Sequence, residues 1–378
     1  MVELISPHPT KKSIICRYVK GYQVRSDING LYSPKAGDVA LFRVKEIGKH
    51  TTIQGATGHS RHIFPGDIIE AAFGSRYATS QFEGYVPDIP VDEYHILGIG
   101  GAVGVVESMH QNLEKLGPTT LELVGYAADA VGTVINTKFL GLDRKKFNAK
   151  ERRTFTTVLS LGSSMDSGKT TTAGFLCRGL RRAGRRPAYM KLTGTVYTKD
   201  LRIVCDCGAL GGVDFSSAGF PSTYLCDLQE LKDLYATLSE CLQEYKPDVV
   251  VIEIADGLLQ RETKMLIEDH EFMNAIDHII FSGEDSMSAL LGEEMLTHVG
   301  KRPFALSGLF TAAPLLKKEV EANTMLPVLD LKALEHIGEH PLIQLFDHEK
   351  SIHGIRSIKP LDQVELDRRL PSRTQTAR

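Results

Sequence analysis

Cysteine is scarce in this chain. The 6 cysteines among 378 residues form no C-x-x-C pair, too few and too scattered for a disulfide framework, so reduced thiols are expected. Cys205-Asp-Cys207 and Cys226 lack the neighbouring histidine or second pair that would complete a zinc site. No apolar run approaches the length of a membrane span, and residues 1–13 lack the apolar stretch of a signal segment. A cytoplasmic protein that engages no membrane is therefore expected. An excess of one charge is also lacking: 44 Lys and Arg against 47 Asp and Glu leave a net charge of -3, so nothing draws the chain toward nucleic acid. What is present, 42% hydrophobic and 24% charged residues, is ordinary for soluble globular proteins. The length suffices for two domains, each with its own core.

One stretch organises the rest. The β-prone run at residues 158–161 feeds a loop of small residues that closes on Gly168-Lys169-Thr170, and helix-forming sequence continues to Ala183. A nucleoside triphosphate needs this order, because consecutive backbone N–H groups and a helix N-terminus must converge on its phosphates. Ser164, Asp166, Ser167, Gly168, Lys169, Thr170 and Thr171 are the candidate cofactor-binding residues, with ATP and Mg2+ as the cofactors. Lys169 would reach the β- and γ-phosphates and the Thr170 hydroxyl would ligate Mg2+. The loop departs from the G-x-x-x-x-G-K-[ST] pattern: Ser163 stands at the first glycine position, and Gly162 lies one residue early. No Asn-Lys-x-Asp run, the usual guanine reader, occurs near residues 307–313, which favours adenine.

Residues 1–150 read as a separate β-rich barrel or sandwich. Short β-branched runs at 13–19, 38–44, 67–73 and 119–124 alternate with turn signals such as Ala36-Gly37-Asp38 and Pro65-Gly66-Asp67. Between Gly74 and Gly84, arginine, aromatics and hydroxyls cluster; the segment is either a ligand-facing loop or a polar connection between strands. Gly98 to Gly104 misses the G-x-G-x-x-G spacing and reads as a glycine-rich strand bend. The charged run at 143–153 is expected to be a solvated linker. Residues 151–345 alternate strands, at 187–192, 248–253, 278–281, 304–309 and 327–329, with helical sequence. A capping box at Asp227 to Glu230 opens one of those helices. Near-continuous apolar strands alternating with helices indicate a doubly wound parallel sheet in an α/β domain. Residues 346–378 read as a polar, partly flexible extension.

Ligands of such sheets bind at the carboxyl ends of the strands. That rule selects Lys191, Thr193 and Thr195 after one strand, and Glu253 and Asp256 after another. Lys169, Lys191 and Glu253 are the candidate catalytic residues, and Thr170 and Glu253 the candidate Mg2+ ligands, with Asp256 as the alternative acid. Residues 195–224 read as a long, glycine-rich, irregular loop. With Asp206, Asp214 and Ser216, it is the candidate substrate segment, the competing reading being a mobile surface loop. His336-Ile-Gly-Glu-His340 matches H-x-x-E-H, but Gly338 and Pro341 argue against the helix that motif needs.

Lys169-Thr170, Lys191 with Gly194, and Glu253-Ile-Ala-Asp-Gly-Leu258 resemble the dethiobiotin synthetase-like (SIMIBI) branch of P-loop NTPases over residues 155–329. That branch includes the cobyrinic-acid amidases and the GTPase-like protein of molybdopterin-guanine dinucleotide synthesis. The resemblance implies that Lys191 sits near the γ-phosphate and Glu253 near the metal. It further implies that a small carboxylate or amine is phosphorylated or activated, by a kinase or ligase, and that protomers pair as a homodimer or higher homo-oligomer. Thr193-Gly194-Thr195 followed by Val213 to Gly219 is also similar to a two-domain P-loop family, some of whose members are associated with N-acylation of D-glutamate. An N-acyltransferase is therefore one rival function, and a regulatory or maturation NTPase acting on a protein partner is another.

Overall fold

The computed structural model describes residues 10–347; beyond residue 347, the extension expected at the C-terminus lies outside them. Among the described residues, ten strands precede residue 150. These are β1 (Lys11–Lys12), β2 (Gln23–Arg25), β3 (Val39–Glu46), the hairpin β4 (Thr52–Gln54) and β5 (Ser60–His62), and β6 (Ile68–Phe73). They continue with β7 (Phe82–Tyr85), β8 (Tyr94–Gly98), β9 (Ala102–Met109) and β10 (Thr120–Ala128). The order β6-β3-β10-β8-β9 closes on itself, because β9 also pairs with β6 at Ala72↔Ala102 and Phe73↔Val103. Of the two architectures the sequence allows, the chain takes the barrel, which leaves its ring strands no free edge. Phe42, Phe73, Tyr94 and Tyr126 fill its interior, Phe42 and Tyr94 meeting edge to face.

The strand expected at residues 13–19 is not there. Ile14–Cys16 form a single 3-10 turn with all three side chains buried. These residues leave the barrel to pack against the second sheet.

That sheet has six parallel strands: β11 (Thr156–Gly162), β12 (Pro187–Lys191), β13 (Gly212–Asp214), β14 (Val249–Glu253), β15 (His278–Gly283) and β16 (Ala305–Gly308). Their order is β13-β12-β14-β11-β15-β16. The helices are α1 (Lys169–Arg182), α2 (Lys199–Cys207), α3 (Leu228–Leu242), α4 (Arg261–Glu268), α5 (His270–Asn274), α6 (Ser286–His298), α7 (Pro314–Asn323) and α8 (Leu331–Glu335). Both faces are covered, which explains the unbroken apolar strands. On one face Leu176 and Leu180 of α1 pack with Val158, Val249 and Leu334. On the other, Leu231, Leu234 and Leu238 of α3 pack with Leu159 and Ile252. The Asp227–Glu230 capping box opens α3 as its spacing foretold.

Two expectations for this sheet are corrected. Residues 327–329 are not a strand; they contribute one bridge, Leu306↔Val328. The segment 195–224 is not irregular throughout, since it contains α2, β13 and a 3-10 turn at Phe215–Ala218. Only Leu201 and Val204 of α2 reach the core, and β13 has 3 residues, so neither leaves a periodic pattern long enough to read.

The barrel and the sheet share a core. Ile14, Ile15, Val39 and Leu41 join Leu192, Val196, Phe215 and Phe220 in one cluster. Thr137 Oγ1 donates to the Gly219 carbonyl at 2.7 Å, and Gln54 Nε2 donates to Thr198 Oγ1 at 2.7 Å. The 143–153 segment is mostly exposed, as expected of a solvated linker, and is also tied to α3: Lys146 pairs with Asp233 at 2.7 Å and Lys145 with Glu240 at 2.7 Å.

Candidate functional site

Strand β11 lies at the centre of the sheet, between β14 and β15. There the windings diverge and leave a crevice beyond the strand ends. The loop leaving Gly162 turns through left-handed Asp166 (φ 57°) and Gly168 (φ 96°) into α1. A Cβ on Gly162 would stand 2.2 Å from Ser167 Oγ and 2.7 Å from Lys169 Cγ. Gly162 thus provides the close approach expected of a glycine one position later. Ser163 is accommodated because its N–H donates to the Ser282 carbonyl at 3.0 Å, which ties the loop to β15.

Among the described residues, no backbone N–H from Ser164 through Thr171 donates to a protein acceptor. A helix start alone leaves only its first few N–H groups unpaired. Here the unpaired run extends back through the whole loop, which is the pattern of an anion cradle. The Lys169 ammonium lies back against the Ser164 carbonyl. Ser167 is buried beneath the loop and Ser164 Oγ donates outward to Glu284 Oε2 at 3.1 Å; Met165, Asp166, Gly168, Lys169, Thr170 and Thr171 line a cleft of about 480 Å³.

Across this cleft stands a polar cluster built on β12 and β14. Lys191 and Glu253 are register partners, and Lys191 Nζ lies 3.5 Å from Glu253 Oε1. Thr170 Oγ1 donates to the same oxygen at 3.0 Å, and the Tyr189 hydroxyl donates to Glu253 Oε2 at 2.8 Å. Asp200, at the start of α2, pairs with Lys191 from the other side. Burial opposes the Lys191 charge, but Glu253 and Asp200 outweigh it and hold its ammonium above the usual lysine range. Lys169 goes the other way: burial lowers it, although Glu253 and Asp256 resist.

Sequence reasoning missed Tyr189 and placed Asp200 only among the polar residues of the 195–224 substrate segment, not beside Lys191. The signal for Tyr189 was available: it lies two residues before Lys191 on a strand, hence on the same face. Asp200 had none, since its pairing depends on how α2 folds back over β12.

The remaining candidates separate. Asp256 joins the cleft in a left-handed conformation (φ 63°). Burial raises its carboxyl to about 6, against the pull of Lys169, Lys191 and Arg76. Thr195 also lines the cleft. Thr193 is buried, and its Oγ1 accepts from the Ala255 N–H at 2.8 Å, so it steadies the turn that carries Asp256. Asp206 is exposed in the last turn of α2 and does not reach the cleft. Asp214 accepts from Ser216 Oγ at 2.6 Å, and Ser216 Oγ accepts from the Arg17 guanidinium at 3.3 Å. Those two residues hold the barrel against the sheet and lie outside the cleft. His336 and His340 do not share a helix face, since α8 ends at Glu335 and a 3-10 turn, Ile337–Glu339, follows.

The barrel completes the cleft with Arg76, Tyr77, Ala78 and Gln81. The segment between Gly74 and Gly84 therefore faces the cleft. Arg76 donates to the Leu97 carbonyl and to Gln81 Oε1, the latter at 2.8 Å. Its burial lowers the guanidinium to about 10, opposed by Asp256.

No protein-family model and no curated protein matches the chain. Among solved structures it is similar to the signal recognition particle receptor FtsY from Elizabethkingia anophelis in complex with GDP. That match has 14% identity and a TM-score of 0.35, and covers 47% of this chain and 57% of the receptor. It is similar to a DUF1611 family protein from Anabaena variabilis at 13% identity and TM-score 0.37, over 59% of this chain and 66% of that one. It is also similar to the hydrogenase maturation factor HypB from Archaeoglobus fulgidus at 16% identity and TM-score 0.34, over 50% of this chain and 90% of that one. Likenesses of this strength transfer no activity. The chain's own architecture is a doubly wound parallel sheet whose central strand runs through a loop into a helix, preceded by a β-barrel.

Proposed function

We propose that this protein binds ATP with Mg2+ and uses the γ-phosphate to phosphorylate or activate a small carboxylate or amine. The observation that supports this most directly is the unpaired run of N–H groups from Ser164 through Thr171 beside the Lys169 ammonium, a cradle of the size and polarity of a polyphosphate. Thr170 Oγ1 and Glu253 Oε1, 3.0 Å apart, are the hard oxygen donors that Mg2+ prefers, and they would hold it. When bound, the ion neutralises phosphate charge. Lys191, fixed between Asp200 and Glu253, keeps its positive charge where negative charge develops. Asp256, raised to about 6, accepts the proton of an acceptor group at neutral pH.

Calorimetric titration with ATP and with GTP in Mg2+, on wild type and on Lys169→Ala, tests the reading. We expect tight binding of ATP that weakens at least about tenfold in the variant, since a charge-assisted contact is worth roughly 1.5–3 kcal/mol. Tighter binding of GTP would move the assignment to guanine, and no binding of either nucleotide would overturn it. Turnover stimulated by small carboxylates or amines separates an activating enzyme from an NTPase whose hydrolysis responds to a protein.

A further inference from the structure

A second recess of about 380 Å³ opens beside the phosphate cleft and shares Arg76, Gln81, Thr195 and Tyr197 with it. Its far wall belongs to the barrel, where Lys49 and His50 project from the connection between β3 and β4. No aspartate or glutamate lines it among the described residues. Its three cationic or cationisable side chains each carry a buried nitrogen without a hydrogen-bond partner: Lys49 Nζ, His50 Nδ1 and Arg76 Nε. Two of these are donors, Lys49 Nζ and Arg76 Nε, and a buried donor left unpaired beside an acid-free recess is a cost the fold bears; the neutral His50 ring, bonded to the Ile96 backbone, leaves only a lone pair at Nδ1. The mutual repulsion agrees with this. Lys49 is lowered to about 8 by burial and by Arg76, and His50 to about 3 by burial, Arg76 and Lys49. Lys49 rests over the Phe82 ring, 5.2 Å from its centroid, so its stem is held while its ammonium still lacks an anion.

We propose that this recess is the acceptor subsite and that Lys49 and Arg76 grip an anionic oxygen group, a carboxylate or a phosphate, on the acceptor. The proposal rests on the nucleotide reading for its catalytic meaning and on the unpaired donors for the binding itself. Arg76 belongs to both cavities, so an acceptor gripped here presents its other end toward Lys191 and Asp256. The barrel is then the half of the enzyme that selects the acceptor, and the acceptor must carry at least one negative charge besides the group that reacts.

The test is calorimetry on the full chain with succinate and, separately, with inorganic phosphate, each without nucleotide, alongside a MgATP titration without added anion. Lys49→Met, which keeps the stem over Phe82, and Arg76→Met are compared, with circular dichroism confirming their fold. One of the two anions is expected to bind with one-to-one stoichiometry, and each variant to weaken it at least tenfold. Binding of succinate alone assigns a carboxylate, and binding of phosphate alone a phosphorylated acceptor. If neither anion binds to wild type that still binds MgATP, or if either binds undiminished in both variants, the subsite is overturned while the nucleotide reading stands. If an anion binds in this manner but MgATP does not, the subsite stands and the nucleotide reading falls.

Discussion

Two buried oxygen acids carry different burdens. Glu253 has partners on both oxygens, Thr170 and Lys191 on one and Tyr189 on the other. Tyr189→Phe keeps the ring and removes one donor, leaving Glu253 Oε2 in a dry site. We expect a loss of about 1–3 kcal/mol in equilibrium denaturation and a higher Mg2+ requirement for turnover; unchanged values of both would remove Tyr189 from the site. Asp256 is held at about 6 against an ordinary 3.8, so the folded state binds its proton more tightly than the unfolded one. The corresponding stability is complete below about pH 3.8, falls as pH rises through about 6, and is absent above it. Asp256→Asn should therefore flatten the wild-type decline in melting temperature between these values and melt higher than wild type at pH 7. Identical pH profiles would show that Asp256 is not buried against its charge. If Asp256 accepts the acceptor's proton, wild-type turnover rises through about pH 6, and the variant loses that limb.

The decisive element is the loop between β11 and α1, and backbone approach rather than side-chain chemistry sets its shape. Gly257, after β14, packs directly on the loop: a Cβ there would stand 2.1 Å from the Ser163 carbonyl oxygen. A carbonyl cannot rotate away as a side-chain end can. Gly257→Ala should shift the loop, costing about 1–3 kcal/mol as overpacking does and weakening nucleotide binding in the same calorimetric assay. Gly30→Ala, where nothing lies within 4 Å, is the control and should leave both unchanged. Equal behaviour of the two variants would contradict this account of the loop.

Over the whole molecule, the barrel and the sheet are not independent bodies. Their apolar residues merge into one cluster, with Leu192, Val196, Phe215 and Phe220 covered by Ile14, Ile15 and Val39. The cleft likewise needs Arg76 from the barrel and Lys169 from the sheet. Thermal unfolding of the full chain should therefore show one cooperative transition, followed identically by far-ultraviolet circular dichroism and calorimetry. Residues 151–347 expressed alone should aggregate. Two separate transitions, or a soluble fragment that binds MgATP as the full chain does, would show that the shared core is dispensable.

By itself the sequence determined what depends on neighbours along the chain. Strand-loop-helix order around Lys169, the all-apolar strands of a sheet covered on both faces, and the Asp227 cap are local patterns whose physics is complete within a few residues. The strand-end rule even brought Lys191, Glu253 and Asp256 into one cleft, because parallel strands place their ends together whatever their order. Only the tertiary structure decided the rest. Whether the β-rich half closes depends on β9 returning to β6, a pairing between runs well apart in the chain. Asp206, Asp214 and Ser216 looked alike in one polar segment, yet the first turns to solvent and the other two anchor the barrel. Tyr189, Asp200, Lys49 and His50 acquire roles only because strand register and the shared core bring their charges and donors into the same low-dielectric space, where each is felt by groups that local sequence never places beside it.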